Sequence, residues 1–258
     1  MSITVIHTPD VEIEKMQKRD GWAISEFRLP ITGETGSETT VFHSIFRPGS
    51  THAKHLHTES DEIAVYLSGN GVVGQGNSRA EVSTGHCRLM PKGTEHFFYN
   101  ETEDKDARVI GFYMGAPSLI GTGYKFCGNA TPEDLEQPRD GLNDGILVHL
   151  NNLESKSWKD AQVQPAIGTH NGSPNALLHV TLQPEKTIEA YKFSNAEAIY
   201  YVEAGEGKIS GQENSQDVEF DSFAFVPKGT SHEIENKGSS VLEMFLVLTG
   251  AGSLEEAA

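Results

Sequence analysis

The sequence predicts an all-β chain folded as two tandem barrels that arose by internal duplication. Three observations predict it: a repeat at one fixed offset, short alternating runs split by turn residues, and a near-absence of helix signals. Pro48, Gly69, Pro91, His96 and Asn100 stand 136 residues before Pro184, Gly205, Pro227, His232 and Asn236. The register is continuous where Met90-Pro91-Lys92-Gly93-Thr94-Glu95-His96 faces Val226-Pro227-Lys228-Gly229-Thr230-Ser231-His232. A period of this size marks a repeated folding unit.

The flanks of the units echo each other as well. Val5-Ile6-His7 opens the first unit much as Leu147-Val148-His149 opens the second. Gly115-Ala116-Pro117-Ser118-Leu119 closes the first as Gly250-Ala251-Gly252-Ser253-Leu254 closes the second. Within each unit, runs such as Thr40–Phe46, Glu62–Leu67 and Arg108–Tyr113 end at Pro48-Gly49, Gly69-Asn70-Gly71 and Gly115. Short strands punctuated in this way read as an all-β sandwich or barrel. The one helix start is Thr131-Pro132-Glu133-Asp134-Leu135, a Thr cap followed by proline and acids. The expected division is a first barrel over residues 1–125, a linker with a short helix over 126–144, and a second barrel over 145–258.

At 258 residues the chain can bury a full core without disulfides. Its net charge of −17 argues against a nucleic-acid backbone or an anionic membrane surface as partner. No window approaches the roughly 20 apolar residues of a bilayer span. Met1–His7 carries no basic region followed by an apolar core, so a cytoplasmic protein is expected, with Cys87 and Cys127 as reduced thiols. The expected partner is a small-molecule substrate, and a homodimer is left open.

Eleven histidines are unusual chiefly for where they fall. His55 and His57 share one face of a strand, because side chains alternate. Glu62 follows a polar turn, Thr58-Glu59-Ser60-Asp61, through which a hairpin would bring its carboxylate back beside them. His96 lies 39 residues after His57, beyond a proline-glycine turn. Three imidazoles and one carboxylate suit one borderline divalent ion, such as iron(II), nickel, manganese, cobalt, copper or zinc. By parity Phe98 accompanies His96 and Tyr66 accompanies Glu62 into the interior. Tyr66 is thereby a candidate to touch substrate. Arg47, Arg88 and Arg108 are candidates for a carboxylate clamp, which parity does not separate. His43, His52 and His86 are expected at the surface.

These residues also carry a family resemblance. Gly49-x5-His55-x-His57-x4-Glu62-x6-Gly69 and Gly85-x5-Pro91-x-Gly93-x2-His96-x3-Asn100 resemble the two signature motifs of the cupin superfamily at all ten fixed positions. The duplication makes the chain resemble a bicupin over nearly its whole length. The resemblance implies two double-stranded β-helix (jelly-roll) barrels, with His55, His57, Glu62 and His96 as metal ligands. It implies one divalent ion per chain, because the second unit has Tyr191, Phe193 and Ala198 where the first has His55, His57 and Glu62. Only His232 survives there, so a structural role is expected for the second barrel.

Cupins host many reactions, and the resemblance orders three classes here. The first is a dioxygenase acting on a small enol or aromatic substrate. One loaded and one emptied barrel resembles fungal quercetinases and pirins, and Glu62 would double as general base. The second is a redox-neutral lyase, isomerase, decarboxylase or cyclase. Oxalate decarboxylases resemble bicupins with a complete metal site in both barrels, which counts against that activity. The third is a non-catalytic binding protein.

Overall fold

The computed structural model describes residues 2–15, 24–75, 78–131, 134 and 147–258. Among these, strands dominate. The first are β1 (Thr4–His7), β2 (Glu26–Ile31), β3 (Thr40–Phe46), β4 (Thr51–His57), β5 (Asp61–Ser68) and β6 (Asn70–Gln75). Next come β7 (Ser78–Ser83), β8 (His86–Met90), β9 (His96–Tyr99), β10 (Ala107–Met114), β11 (Tyr124–Gly128) and β12 (Leu147–His149). The repeat supplies β13 (Lys156–Trp158), β14 (Ala161–Ile167), β15 (Ala176–Leu182), β16 (Thr187–Tyr191) and β17 (Glu197–Ala204). It ends with β18 (Glu206–Gly211), β19 (Ser215–Glu219), β20 (Ser222–Val226), β21 (His232–Asn236), β22 (Leu242–Thr249) and a one-turn helix, Leu254–Ala257. No described helix is long and apolar enough to cross a membrane. The helix expected at Thr131–Leu135 falls largely outside the described residues; Thr131 and Asp134 cap each other through side-chain and backbone hydrogen bonds.

Two compact units are present, one of residues 12–29 and 39–149, the other of residues 1–11, 30–38 and 150–258. The unit that holds the first repeat is a barrel of two facing sheets, ordered β12-β8-β5-β10-β3-β2 and β11-β4-β9-β6-β7. Its core is aromatic-rich, with Phe27, Phe42, Phe46, Tyr66 and Phe98 packed together. The unit that holds the second repeat has sheets ordered β1-β20-β17-β22-β15-β14-β13 and β16-β21-β18-β19. Leu178, Val180, Ile209, Ile234 and Leu246 lie in its core.

The sequence places residues 1–11 with the first barrel, and here the structure differs. β1 lies antiparallel to β20 in the second-repeat unit, with Val5 opposite Ala224. Conversely β12 lies antiparallel to β8 in the first-repeat unit, with Val148 opposite Cys87. The two opening segments, Val5-Ile6-His7 and Leu147-Val148-His149, thus each complete the barrel built mainly from the other repeat. Periodicity along the chain reveals that such strands exist but not which edge they join.

The turn glycines behave as their spacing implies. Gly69 has φ +80°, and a Cβ there would lie 2.6 Å from the Asp106 carbonyl oxygen. Asn100 is a strand-end clamp: its side-chain amide donates to the Phe46 and Lys105 carbonyls. Asn236 repeats this with Leu182 and Ser240.

Candidate metal centre

His55 and His57 point inward from β4 because they share its parity, and both are almost wholly buried. His96 opens β9 and lies directly opposite His55 across the β4–β9 pair. The turn before it is pinned where the Gly93 N–H donates to the His57 carbonyl at 2.7 Å. Glu62 does not arrive through a hairpin as expected. β4 pairs with β9 and β11, whereas β5 pairs with β8 and β10, so the turn between them crosses from one sheet to the other. The carboxylate therefore reaches the imidazoles from across the barrel interior.

One ligand atom from each of His55, His57, Glu62 and His96 lies within 4.8 Å of all the others. Glu62 Oε2 is 3.2 Å from both His57 Nε2 and His96 Nε2. His55 Nδ1 is 2.7 Å from the Ala53 carbonyl and His96 Nδ1 is 2.8 Å from the Thr94 carbonyl. A carbonyl only accepts, so both Nδ1 atoms carry hydrogen and both Nε2 atoms present a lone pair. Such backbone partners orient ligating imidazoles in metal sites. His55 Nε2 is buried with no hydrogen-bond partner, an arrangement that a metal ion at this point resolves. The donor set fits a borderline divalent ion.

The electrostatics prepare the same state. Burial alone would push the Glu62 carboxyl up. The hydrogen bonds and charges of His57 and His96 outweigh it and hold the group well below the usual carboxylate range. Burial, then the neighbouring His52 and His96 rings, hold His55 well below the usual imidazole range. Metal binding needs an ionised carboxylate and neutral imidazoles; the surroundings of Glu62 and of His55 favour those forms for these two groups.

His55, Glu62 and His96 open on a cavity of about 30 Å³, also lined by Phe46, Ala64, Tyr66, Arg88 and Phe98. Tyr66 and Phe98 thus face inward. Of the three arginines, Arg47 is exposed and Arg108 Nη2 lies 3.2 Å from His43 Nε2, whereas Arg88 reaches the cavity. Burial pushes the Tyr66 hydroxyl up, partly offset by the Arg88 guanidinium beside it. Burial raises Tyr113 well above the usual phenol range, with Glu62's charge acting in the same direction.

Two histidines expected at the surface are not there. His43 is buried, on the face of β3 opposite Phe42. His52 is half-buried, lines the cavity and stacks on His55 with ring centroids 3.9 Å apart. A register shift between His52 and His55 in the β4–β9 pair turns it inward, which simple alternation could not foresee. Two tyrosines also reach the site: Tyr113, which the sequence does not single out, and Tyr124, in the Thr122-Gly123-Tyr124 loop that the sequence alone cannot place. The Tyr124 ring stacks on His55 at 5.3 Å, and Tyr113 lies 4.7 Å from the His57 ring. No local motif signals either one, because each is brought in by strand pairing.

In the second-repeat unit the equivalent centre is filled. Tyr200, at the position of Ala64, places its hydroxyl 2.5 Å from that of Tyr191 and 2.9 Å from His232 Nε2. Glu197 is turned away and accepts from the Ser37 hydroxyl and the Glu38 N–H. Elsewhere in this unit His179, Glu203 and Glu243 also bring ligand atoms within 4.8 Å, with both glutamates partly exposed.

Comparison with known proteins agrees with the two-barrel fold. The cupin domain family matches residues 42–113 and 178–253, one stretch in each repeat. Oxalate oxidase GF-3.8 of Triticum aestivum is 32% identical over 84 residues, which is 29% of this chain and 37% of that protein. The chain thus spans little more than a third of that relative's length. An oxalate-binding protein of Thermotoga maritima is 25% identical over 118 residues, 46% of this chain and 86% of that protein. Among solved structures, Bacillus subtilis oxalate decarboxylase, determined in work on its Mn(II) centres, superposes with a TM-score of 0.74 at 14% identity. That match covers 96% of this chain and 77% of the other.

Proposed function

The chain belongs to the cupin domain family, and from that premise we propose that it is a metal-dependent enzyme that cleaves oxalate, or a dicarboxylate of similar size, without net oxidation. The observation that carries this reading is the size of the space at the ligand set. The space, about 30 Å³, is far below the roughly 300 Å³ of a pocket for a drug-sized ligand, which favours the smallest substrates. An aromatic enol, the substrate class of the dioxygenase reading, asks for more room than this. The oxalate-named relatives support a two-carbon substrate.

A divalent ion at His55, His57, Glu62 and His96 supplies Lewis-acid polarisation of a bound carboxylate; manganese is the first choice, given the Bacillus decarboxylase. The protein's own residues do the rest. Loss of carbon dioxide from oxalate leaves a carbon that must take up one proton. The buried Tyr66 hydroxyl, held protonated, faces the cavity to deliver it. Phe46 and Phe98 exclude bulk water from that step. Glu62 would serve as the carboxylate ligand of that ion. The missing second centre, which by sequence counted against oxalate decarboxylation, leaves the first centre complete.

The test uses the manganese-loaded protein and ¹³C-oxalate under argon. The expected result is formate and carbon dioxide in equal amounts, with one proton consumed per turnover. The wheat relative favours a second reading, oxidation of oxalate to two carbon dioxide molecules with oxygen reduced to hydrogen peroxide. Turnover that stops under argon and yields peroxide in air would establish that reading instead. Tight binding without turnover in either atmosphere would make the protein an oxalate binder.

A further inference from the structure

We propose that Arg88 is the substrate-binding residue that makes the first barrel select a doubly charged anion. The inference rests on the reading of that barrel as a small-carboxylate centre and deepens it. Arg88 is 1% exposed, yet no carboxylate among the described residues lies within ion-pairing distance of its guanidinium. It crosses the interior from β8 to the far sheet, where it donates to the carbonyls of Phe97 and Gly74. Its Nε–H is buried without a hydrogen-bond partner. A buried charge satisfied only by neutral groups is costly, and an anion in the adjoining cavity would relieve that cost.

The duplication provides an internal control. In the first barrel Ala64 of β5 lies opposite Arg88 of β8. In the second, Tyr200 of β17 lies opposite Ala224 of β20. The large and small members of one cross-strand pair have exchanged places. Where Tyr200 fills the metal position, no arginine is present; where Ala64 leaves the position open, Arg88 stands behind it. Tyr66 likewise has an apolar counterpart, Val202. The second barrel folds around an uncharged version of this wall, with Tyr200, Val202 and Ala224, so the fold does not demand an arginine here. A dication with one carboxylate ligand carries a formal charge of +1, and Arg88 brings the interior to +2. A dianion such as oxalate neutralises that charge; formate or acetate leaves it half-compensated.

The experiment is calorimetric titration of the metal-loaded protein with oxalate, malonate, formate and acetate, in wild type, Arg88→Lys and Arg88→Met. The expected outcome is dianion affinity well above monoanion affinity in wild type. Arg88→Met should weaken oxalate binding about a hundredfold, the scale of a charge-assisted hydrogen bond, with metal content unchanged and formate affinity changed only a few-fold. Arg88→Lys should keep most of the dianion preference. Equal losses for dianions and monoanions, or none, would overturn the proposal, as would a wild-type protein that binds formate as tightly as oxalate, which needs no variant to fold. Dianion binding that depends on Arg88 without oxalate turnover would sink the reaction and uphold the subsite. Unchanged KM for oxalate in Arg88→Met would do the reverse.

Discussion

Glu62 is caught between burial, which favours its neutral acid, and the imidazoles of His57 and His96, which favour the carboxylate and prevail. Removing one of these partners should cost the ion. His57→Ala is expected to abolish tight metal binding, while His232→Ala leaves metal content as in wild type; elemental analysis of both checks this. Glu62→Gln keeps the shape and an oxygen donor but removes the ligand's negative charge. It should therefore bind the ion more weakly than wild type, and the same elemental analysis checks this. His232 shows the opposite environment. Burial, partly opposed by its bond to the Thr230 carbonyl, lowers it to about 4. Unfolded, it titrates near 6.5, so between pH 6.5 and 4 the unfolded chain binds more protons. Stability contributed by neutral His232 is therefore lost as pH falls through that window, by about 3 kcal/mol at its lower end. Urea titrations at pH 7 and 4.5 should show a smaller acid loss for His232→Phe than for wild type. At this scale the motif spacing named the four side chains that the fold brings together, because ligand chemistry restricts residue type. It could not single out Arg88 from three arginines or turn His52 inward, because those depend on where strands cross and slip.

Strands β1 and β12 show what pairing adds to sequence. Each is a short apolar run with no signal of its partner, and each closes the sheet of the unit built from the other repeat. A fragment of residues 1–140 would lack β12, leave the β8 edge open, and carry β1 without β20. Open edges promote association, so that fragment should aggregate; a soluble, monomeric, active fragment would contradict this account of the exchange. The β4–β5 connection misleads for a related reason. Polar turn residues serve a hairpin and a sheet-to-sheet corner equally well, and only the β-ladders distinguish them. The glycine turns were more legible, since a backbone angle is a local demand. Gly69→Ala should cost about 2 kcal/mol or more, from a positive φ and a Cβ pressed against the Asp106 carbonyl. Chemical denaturation gives that number directly.

The molecule as a whole is a duplication whose copies have diverged at their centres while keeping their turns. Asn100 and Asn236 make matching clamps, and Gly69 and Gly205 share positive φ. The interior positions differ in kind: imidazole, carboxylate and guanidinium in one barrel, phenol rings around one histidine in the other. The duplication and the barrel class were readable because turns and strand alternation recur at one offset. The chemistry was readable only as far as the ligands, since a reaction depends on the volume and charge left over once side chains pack. The central claim is that one centre, in the first barrel, carries the metal and the chemistry. Its most direct test is anomalous diffraction at the manganese edge from crystals of protein loaded with manganese. The account predicts a single strong peak bounded by His55, His57, Glu62 and His96. A second peak of similar strength at His232, or one at His179 with Glu203 and Glu243 in place of the first, would contradict it.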